Sequence, residues 1–291
     1  MEKRKTLTRR SALALAGGTV GALLTGENAQ AALQPPAEPL KGRIKQSVSQ
    51  GCYSKIPLDT LCENAKAMGL VGIDLLHEGD WSTVAKHGLL CTMAYGIGSI
   101  SNGWNDLKSH DRLVAEAEQM IPKVASAGLP NILTFSGNRR GLTDAQGAEN
   151  CVTGLQRIAK LAEKHKVTVC MELLNSKHDH KDYQCDHTAW GVDICKRVGS
   201  DRIKLLYDIY HMQIMDGDVC ATIKENISHI AHFHTGGVPG RHEIDDTQEL
   251  NYGAVCRAIA ASGFQGFVAH EFLPTHDPMK SLRQAVQICD V

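Results

Sequence analysis

Four groups able to ligate a metal each end an apolar, strand-like run in the second half of the chain. Glu172 lies in Thr-Val-Cys-Met-Glu-Leu-Leu, Asp208 in Ile-Lys-Leu-Leu-Tyr-Asp, His234 in His-Ile-Ala-His-Phe-His and Glu271 in Gly-Phe-Val-Ala-His-Glu-Phe. An unpaired carboxylate in a buried strand is costly to desolvate. Four such groups, spaced 36, 26 and 37 residues apart, therefore need one another or a shared cation. Each gap is close to one strand–loop–helix–loop unit, so the fold must carry successive strand ends to one place. Taken singly, a strand-end Glu or Asp is more often a helix cap or an ion-pair partner; four at matching depth read as one site.

The rest of the chain has the same rhythm. Strands are predicted near 44–49, 72–76, 89–95, 131–136, 168–174, 203–208, 229–235 and 266–272. Helices are predicted near 57–68, 80–87, 110–128, 144–166, 187–198, 217–226, 250–262 and 278–289. In the helix at 144–166, Leu155, Ile158, Ala159, Leu161 and Ala162 recur at helical spacing, and Thr143 or Asp144 can cap it. Gly69, Gly128, Gly199 and Gly263 stand where helices should stop before strands. Alternating β and α segments predict a parallel sheet, and eight of each predict a closed (β/α)₈ TIM barrel over residues 43–291. An open doubly wound sheet is the alternative, but no Gly-x-Gly-x-x-Gly turn follows the first strand.

The N-terminus reads differently. Lys3, Arg4 and Lys5 precede Thr8-Arg9-Arg10-Ser11, an apolar run from Ala12 to Leu24, and Ala29-Gln30-Ala31. Residues 1–31 are thus expected to be a twin-arginine export signal, cleaved after Ala31 and engaging the twin-arginine machinery, with a periplasmic destination. A Pro-rich linker spans 32–42. Among the ten cysteines there is no Cys-x-x-Cys pair, and Cys170, Cys195, Cys220, Cys256 and Cys289 sit in apolar contexts. Most are expected to be free thiols, in keeping with export of an already folded protein. The formal net charge of −1 carries no basic excess, so nucleic acid is not an expected partner.

In such a barrel the active site lies at the C-terminal ends of the strands, where Glu172, Asp208, His234 and Glu271 are expected. Three carboxylates and an imidazole make a hard, oxygen-rich site for one divalent ion. It suits Mg²⁺, Mn²⁺ or Co²⁺, with Zn²⁺ also compatible.

The run Tyr207-Asp208-Ile209-Tyr210-His211-Met212-Gln213-Ile214-Met215-Asp216-Gly217-Asp218 resembles the hydroxypyruvate isomerase family of xylose-isomerase-like barrels, relatives of the ketose 3-epimerases. Met171–Asn175, His234 with Val238–Glu243, Leu250–Tyr252 and Gly266–Phe272 resemble the same family. The likeness covers about 168–274; earlier residues share only the barrel rhythm. It implies a small hydroxy-carbonyl or sugar substrate, with Glu172 and Glu271 both holding the ion and moving protons through an enediolate. It assigns His211 to a substrate oxygen and Arg241 to a substrate carboxylate or hydroxyl. A homo-oligomer is compatible with it, since related barrels often pair.

Some residues depart from that pattern. His234 stands where close hydroxypyruvate isomerases commonly have Gln, as in the ketose epimerases. The loop from Ser176 to His187 is dense in His and Asp; His178, His180 and His187 are read as a polar loop over the barrel mouth rather than a second metal site. Tyr95 and Trp104 are expected to wall the pocket and Arg139-Arg140 to be a surface pair. His232 and His270 are both read as structural, His232 being the better candidate for orienting a ligand. The expectation is an exported isomerase, best described as a hydroxypyruvate isomerase. The nearest rival is a ketose 3-epimerase, followed by a dehydratase or lyase. The rivals of other classes are a non-catalytic sugar-binding barrel and a metallonuclease.

Overall fold

Parallel strands ring a central axis, with helices outside, in the computed structural model, which describes residues 39–291. The strands are β1 (Lys45–Ser49), β2 (Gly72–Asp74), β3 (Leu90–Cys91), β4 (Ala94–Ile97), β5 (Asn131–Thr134), β6 (Thr168–Glu172), β7 (Ile203–Asp208), β8 (Ile230–Thr235) and β9 (Phe267–His270). The helices are α1 (Leu58–Ala67), α2 (Trp81–Lys86), α3 (His110–Ser126), α4 (Asp144–His165), α5 (Thr188–Val198), α6 (Ile209–Met215), α7 (Val219–Asn226), α8 (Tyr252–Ala261) and α9 (Pro278–Cys289). The expected export signal at 1–31 and most of the linker lie outside the described residues. No helix among the described residues is long and apolar enough to cross a membrane.

The strand order is β3-β2-β1-β9-β8-β7-β6-β5-β4, every pairing parallel. The ring joins through an isolated parallel bridge, Leu76 to Ala94. The third predicted strand is therefore broken into β3, paired with β2, and β4, paired with β5. The break falls at Thr92, whose hydroxyl turns inward to Asp74 Oδ1 at 2.7 Å. Its carbonyl accepts the Asn131 side-chain amide at 2.9 Å instead of a ladder hydrogen bond.

Helix α4 shows why the sequence reads so clearly here. Thr143 Oγ1 accepts the Gln146 N–H and Gln146 returns the bond, a capping box. Cys151, Leu155, Ile158, Ala159 and Ala162 face the barrel and are buried. Helix α6 was not expected. It starts directly off β7 because Asp208 Oδ1 accepts the His211 N–H at 3.2 Å, so the same carboxylate both caps a helix and faces the barrel mouth. All ten cysteines are free thiols.

Candidate metal centre and active site

Register sets the depth of the four predicted ligands. Glu172 closes β6 and Asp208 closes β7. Asp208 and His234 are direct lateral partners across β7 and β8. Glu271 follows β9, and its N–H donates to the Thr235 carbonyl at 3.1 Å. The ligand atoms of Glu172, Asp208, His234 and Glu271 all lie within 4.8 Å of one another. Asp208 and His234 are fully buried and Glu172 nearly so.

His234 is the pivot. Its Nε2–H donates to Asp74 Oδ2 at 2.7 Å. Its Nδ1 then points into the carboxylates, 2.5 Å from Glu271 Oε2, 3.4 Å from Glu172 Oε1 and 3.8 Å from Asp208 Oδ2. Yet Nδ1 is buried and has no partner in hydrogen-bonding geometry among the described residues. A buried nitrogen facing three carboxylates without a hydrogen bond of its own is the environment a cation completes. The donor set, three oxygens and one imidazole nitrogen, fits a hard or borderline divalent ion.

Electrostatics bear the same mark. Burial disfavours a charged imidazole at His234, but nearby Glu271, the bond to Asp74 and the closeness of Glu172 push its pKa well above the ordinary value. The carboxylates diverge. Burial, aided by Glu271 and Asp208, pushes Glu172 up. Glu271 is also penalised by burial, but Arg241 and His234 hold it down. Environments that split two neighbouring carboxylates in this way suit them to different proton-transfer roles.

Arg241 is drawn further in than a substrate-gripping side chain was expected to be. Its Nη2 lies 2.6 Å from Asp208 Oδ2 and 2.5 Å from Glu271 Oε2. Its guanidinium stacks over the Tyr210 ring, 5.2 Å from the centroid. Gly236 makes room: a Cβ there would come within 3.0 Å of Arg241 Cγ and 3.2 Å of Tyr210 Cβ. His211 is also brought to the site, where burial and then Arg241 lower its pKa well below the ordinary value. Asn175 Oδ1 accepts the His178 and Asp179 N–H groups, and its Nδ2 lies 2.7 Å from His211 Nδ1. Arg241 Nη1, which can only donate, lies 2.6 Å from His211 Nε2, so that nitrogen accepts.

Asp74 was missed by sequence reasoning. It ends the short β2 and is fully buried. Its signal was present, since it is one more carboxylate in an apolar run, Gly-Ile-Asp-Leu-Leu. His232, expected to be structural, donates Nε2–H to the same Asp74 oxygen at 3.1 Å. Burial opposes the Asp74 charge, but His232 and His234 hold its pKa well below the usual carboxylate range. His270, as expected, serves structure: it contacts Gln46 Oε1 at 2.9 Å and Thr235 Oγ1 at 3.1 Å.

Around the mouth, Tyr95 is half-buried, stacked 5.0 Å from His77, with its pKa raised by burial and then by Glu172 and Glu271. Trp104 does not wall the pocket. It is fully buried, its Nε1–H donates to Thr134 Oγ1 at 2.7 Å, and Gly154 of α4 leaves room for its ring. The loop carrying it folds back on β5, with Trp104 N–H on the Phe135 carbonyl, which turns the indole into the core. The histidines of the 176–187 loop stay apart: His187 pairs with Asp216 at 2.6 Å, while the His180 ring lies 5.2 Å from that of His211. Arg139 is a pin rather than a free surface charge, tied to Asp186 at 2.9 Å and to Asp144 at 3.2 Å.

A parallel barrel with such a cluster at its C-terminal rim defines a class of fold and site. Residues 62–289 match the family described as the xylose isomerase-like TIM barrel, and the chain belongs to that family. It is 36% identical over 134 residues to 2-oxo-tetronate isomerase of Cupriavidus necator, covering 45% of this chain and 51% of that protein. It is 31% identical over 127 residues to D-psicose 3-epimerase of Ruminiclostridium cellulolyticum (42% and 40% covered). It is 28% identical over 143 residues to hydroxypyruvate isomerase of Escherichia coli (49% and 55% covered). The chain thus spans about half the length of these curated relatives. Among solved structures it superposes on an AP endonuclease of family 2 from Brucella melitensis (TM-score 0.75, 21% identity, 82% of this chain and 97% of that one). It also superposes on the IOLI protein with a bound zinc atom (TM-score 0.65, 15% identity, 84% and 95%). At these identities the structural likenesses establish the fold alone.

Proposed function

We propose that this chain is a metal-dependent isomerase of a small hydroxy-carbonyl compound, working through an enediolate, with hydroxypyruvate to tartronate semialdehyde as the best-supported reaction. The observation that carries the reading is the convergence of Glu172 and Glu271 with Asp208 and His234, ligand atoms within 4.8 Å of one another. The part-length similarity to two isomerases of oxo-acid compounds supports it.

In this reading Glu172, Asp208, Glu271 and His234 Nδ1 hold one divalent ion, Mg²⁺ or Mn²⁺ by preference and Co²⁺ or Zn²⁺ as alternatives. Bound there, the ion supplies Lewis acidity to the substrate oxygens. The residues then divide the proton traffic. One of Glu172 and Glu271 removes the proton on the hydroxyl-bearing carbon, and the other delivers a proton to the former carbonyl carbon. His211 contacts a substrate oxygen, fixing the orientation of the carbonyl. Arg241 neutralises the carboxylate cluster, and with its other N–H groups held by Glu271, His211 and Asp208 it keeps one Nη1–H for an anionic or hydroxylated substrate.

A second reading, a ketose 3-epimerase, uses the same groups on opposite faces of one carbon. It is favoured by His234 and by the similarity to D-psicose 3-epimerase. Ion-loaded protein incubated with hydroxypyruvate, 2-oxo-tetronate and a ketose panel in deuterated water separates the two. Isomerised acid with solvent deuterium supports the first reading, and a C3-epimerised ketose supports the second. No exchange into any substrate would leave a non-catalytic binder and end both. The proposed export is tested by fractionation: cleaved protein in the periplasm supports it, and uncleaved protein in the cytoplasm overturns it.

A further inference from the structure

We propose that Asp74 is a positioning residue for the metal centre, which commits His234 to ligation through Nδ1 by holding its Nε2–H. The inference rests on the reading of His234 as a ligand and extends the site to a strand on the far side of the barrel.

Asp74 is built to hold its place. Its Oδ2 accepts from His234 Nε2 at 2.7 Å and from His232 Nε2 at 3.1 Å. Its Oδ1 accepts from Thr92 Oγ1 at 2.7 Å, and that hydroxyl lies 3.1 Å from Ser47 Oγ. Asp74, Thr92, Ser47, His232 and His234 are all fully buried. The carboxylate therefore cannot swing to solvent, and each oxygen has its donors. A buried acceptor of this kind makes the proton on His234 Nε2 the expensive one to remove.

The consequence lies at the other nitrogen. His234 Nδ1 stands 2.5 Å from Glu271 Oε2 and 3.4 Å from Glu172 Oε1. A ring that carries a proton on Nδ1 cannot ligate through that nitrogen. With Asp74 accepting at Nε2, the ring is held with that N–H on Asp74 and with Nδ1 aimed at the carboxylates. Without it, nothing at Nε2 fixes the ring's tautomer or orientation, and a ring with its proton on Nδ1 offers the ion no lone pair. His232 makes the longer of the two bonds to Asp74, and its own Nδ1 has no partner among the described residues, so it does not substitute for Asp74.

The test measures Mn²⁺ binding calorimetrically to metal-free wild type, Asp74→Asn, Asp74→Ala and His232→Gln. Asp74→Asn keeps the side chain's shape and an acceptor oxygen, which guards against a variant that does not fold. The expected result is wild-type binding and a roughly 10–100-fold weaker affinity in Asp74→Asn, with His232→Gln within about threefold of wild type. In Zn²⁺-loaded, ¹⁵N-histidine-labelled wild type, His234 should show a ligated Nδ1 and a protonated Nε2. A merely structural Asp74 would lower thermal stability but leave the affinity measured well below the melting temperature unchanged. Asp74→Asn affinity within twofold of wild type, or Zn²⁺ on Nε2, overturns the inference while leaving the metal reading intact. Wild type that binds no divalent ion overturns both.

Discussion

Arg241 Nη2 and Asp208 Oδ2 meet at 2.6 Å, joining the loop after β8 to the end of β7 on an oxygen that also faces His234 Nδ1. The contact places a fixed positive charge among carboxylates that would otherwise repel one another. Arg241→Met should cost the metal-free protein about 3–5 kcal/mol, the usual loss when one partner of a buried ion pair is removed. Saturating Mn²⁺ should recover more stability in the variant than it adds to wild type, because the ion replaces the missing charge. Denaturant melts with and without Mn²⁺ measure both quantities, and an equal gain in the two proteins would refute the compensation.

Glu172→Gln and Glu271→Gln each remove one proton carrier while keeping nearly the same volume. Each should lower kcat by at least the 10²–10⁴-fold typical of general acid–base groups. Substrate deuterium exchange distinguishes their roles: the variant lacking the base loses exchange, whereas the variant lacking the acid retains it while turnover falls. Turnover within tenfold of wild type in both variants would remove the two glutamates from the chemistry.

Glu243 predicts an acid-labile step in stability. Burial raises its pKa, but its bonds with Ser281 and with the backbone and hydroxyl of Thr275 bring it from 4.5 down to about 2. It accepts Thr275 N–H and Ser281 Oγ–H on Oε1, both at 2.8 Å, and Thr275 Oγ1–H on Oε2 at 2.9 Å, anchoring the approach to α9. A folded pKa below the unfolded one means this stabilisation is complete above about pH 4.5 and is lost as pH falls toward about 2. Glu243→Gln should therefore be less stable by roughly 1.5–3 kcal/mol at neutral pH, with the gap closing across that window. A gap that stays constant from pH 6 to pH 2.5 contradicts the assignment.

Trp104 should behave as core. Trp104→Ala should cost about 3–5 kcal/mol and leave KM unchanged under conditions where the variant remains folded. A raised KM without lost stability would return the indole to the pocket wall.

Much of the barrel was legible because a helix and a strand each impose a short-range period. The buried stripe of α4 and its Thr143–Gln146 cap are local facts, and so they could be read locally. The break between β3 and β4 could not, because it depends on Thr92 meeting Asp74 and Asn131, contacts no period encodes. Helix α6 was not legible because Asp208 serves twice: as a strand-end carboxylate and as the cap that accepts His211 N–H three residues on.

By itself, the sequence determined which strands carry charge and that Glu172, Asp208, His234 and Glu271 needed a common destination, since an apolar run does not hold an uncompensated carboxylate without cause. Only the tertiary structure decided what completes that cluster. Asp74 reaches His234 across 160 residues of chain, and Arg241 enters the ligand set instead of waiting at the rim. Closing the barrel fixes the lateral register, and register, more than distance along the polypeptide, determines which inward-facing groups touch.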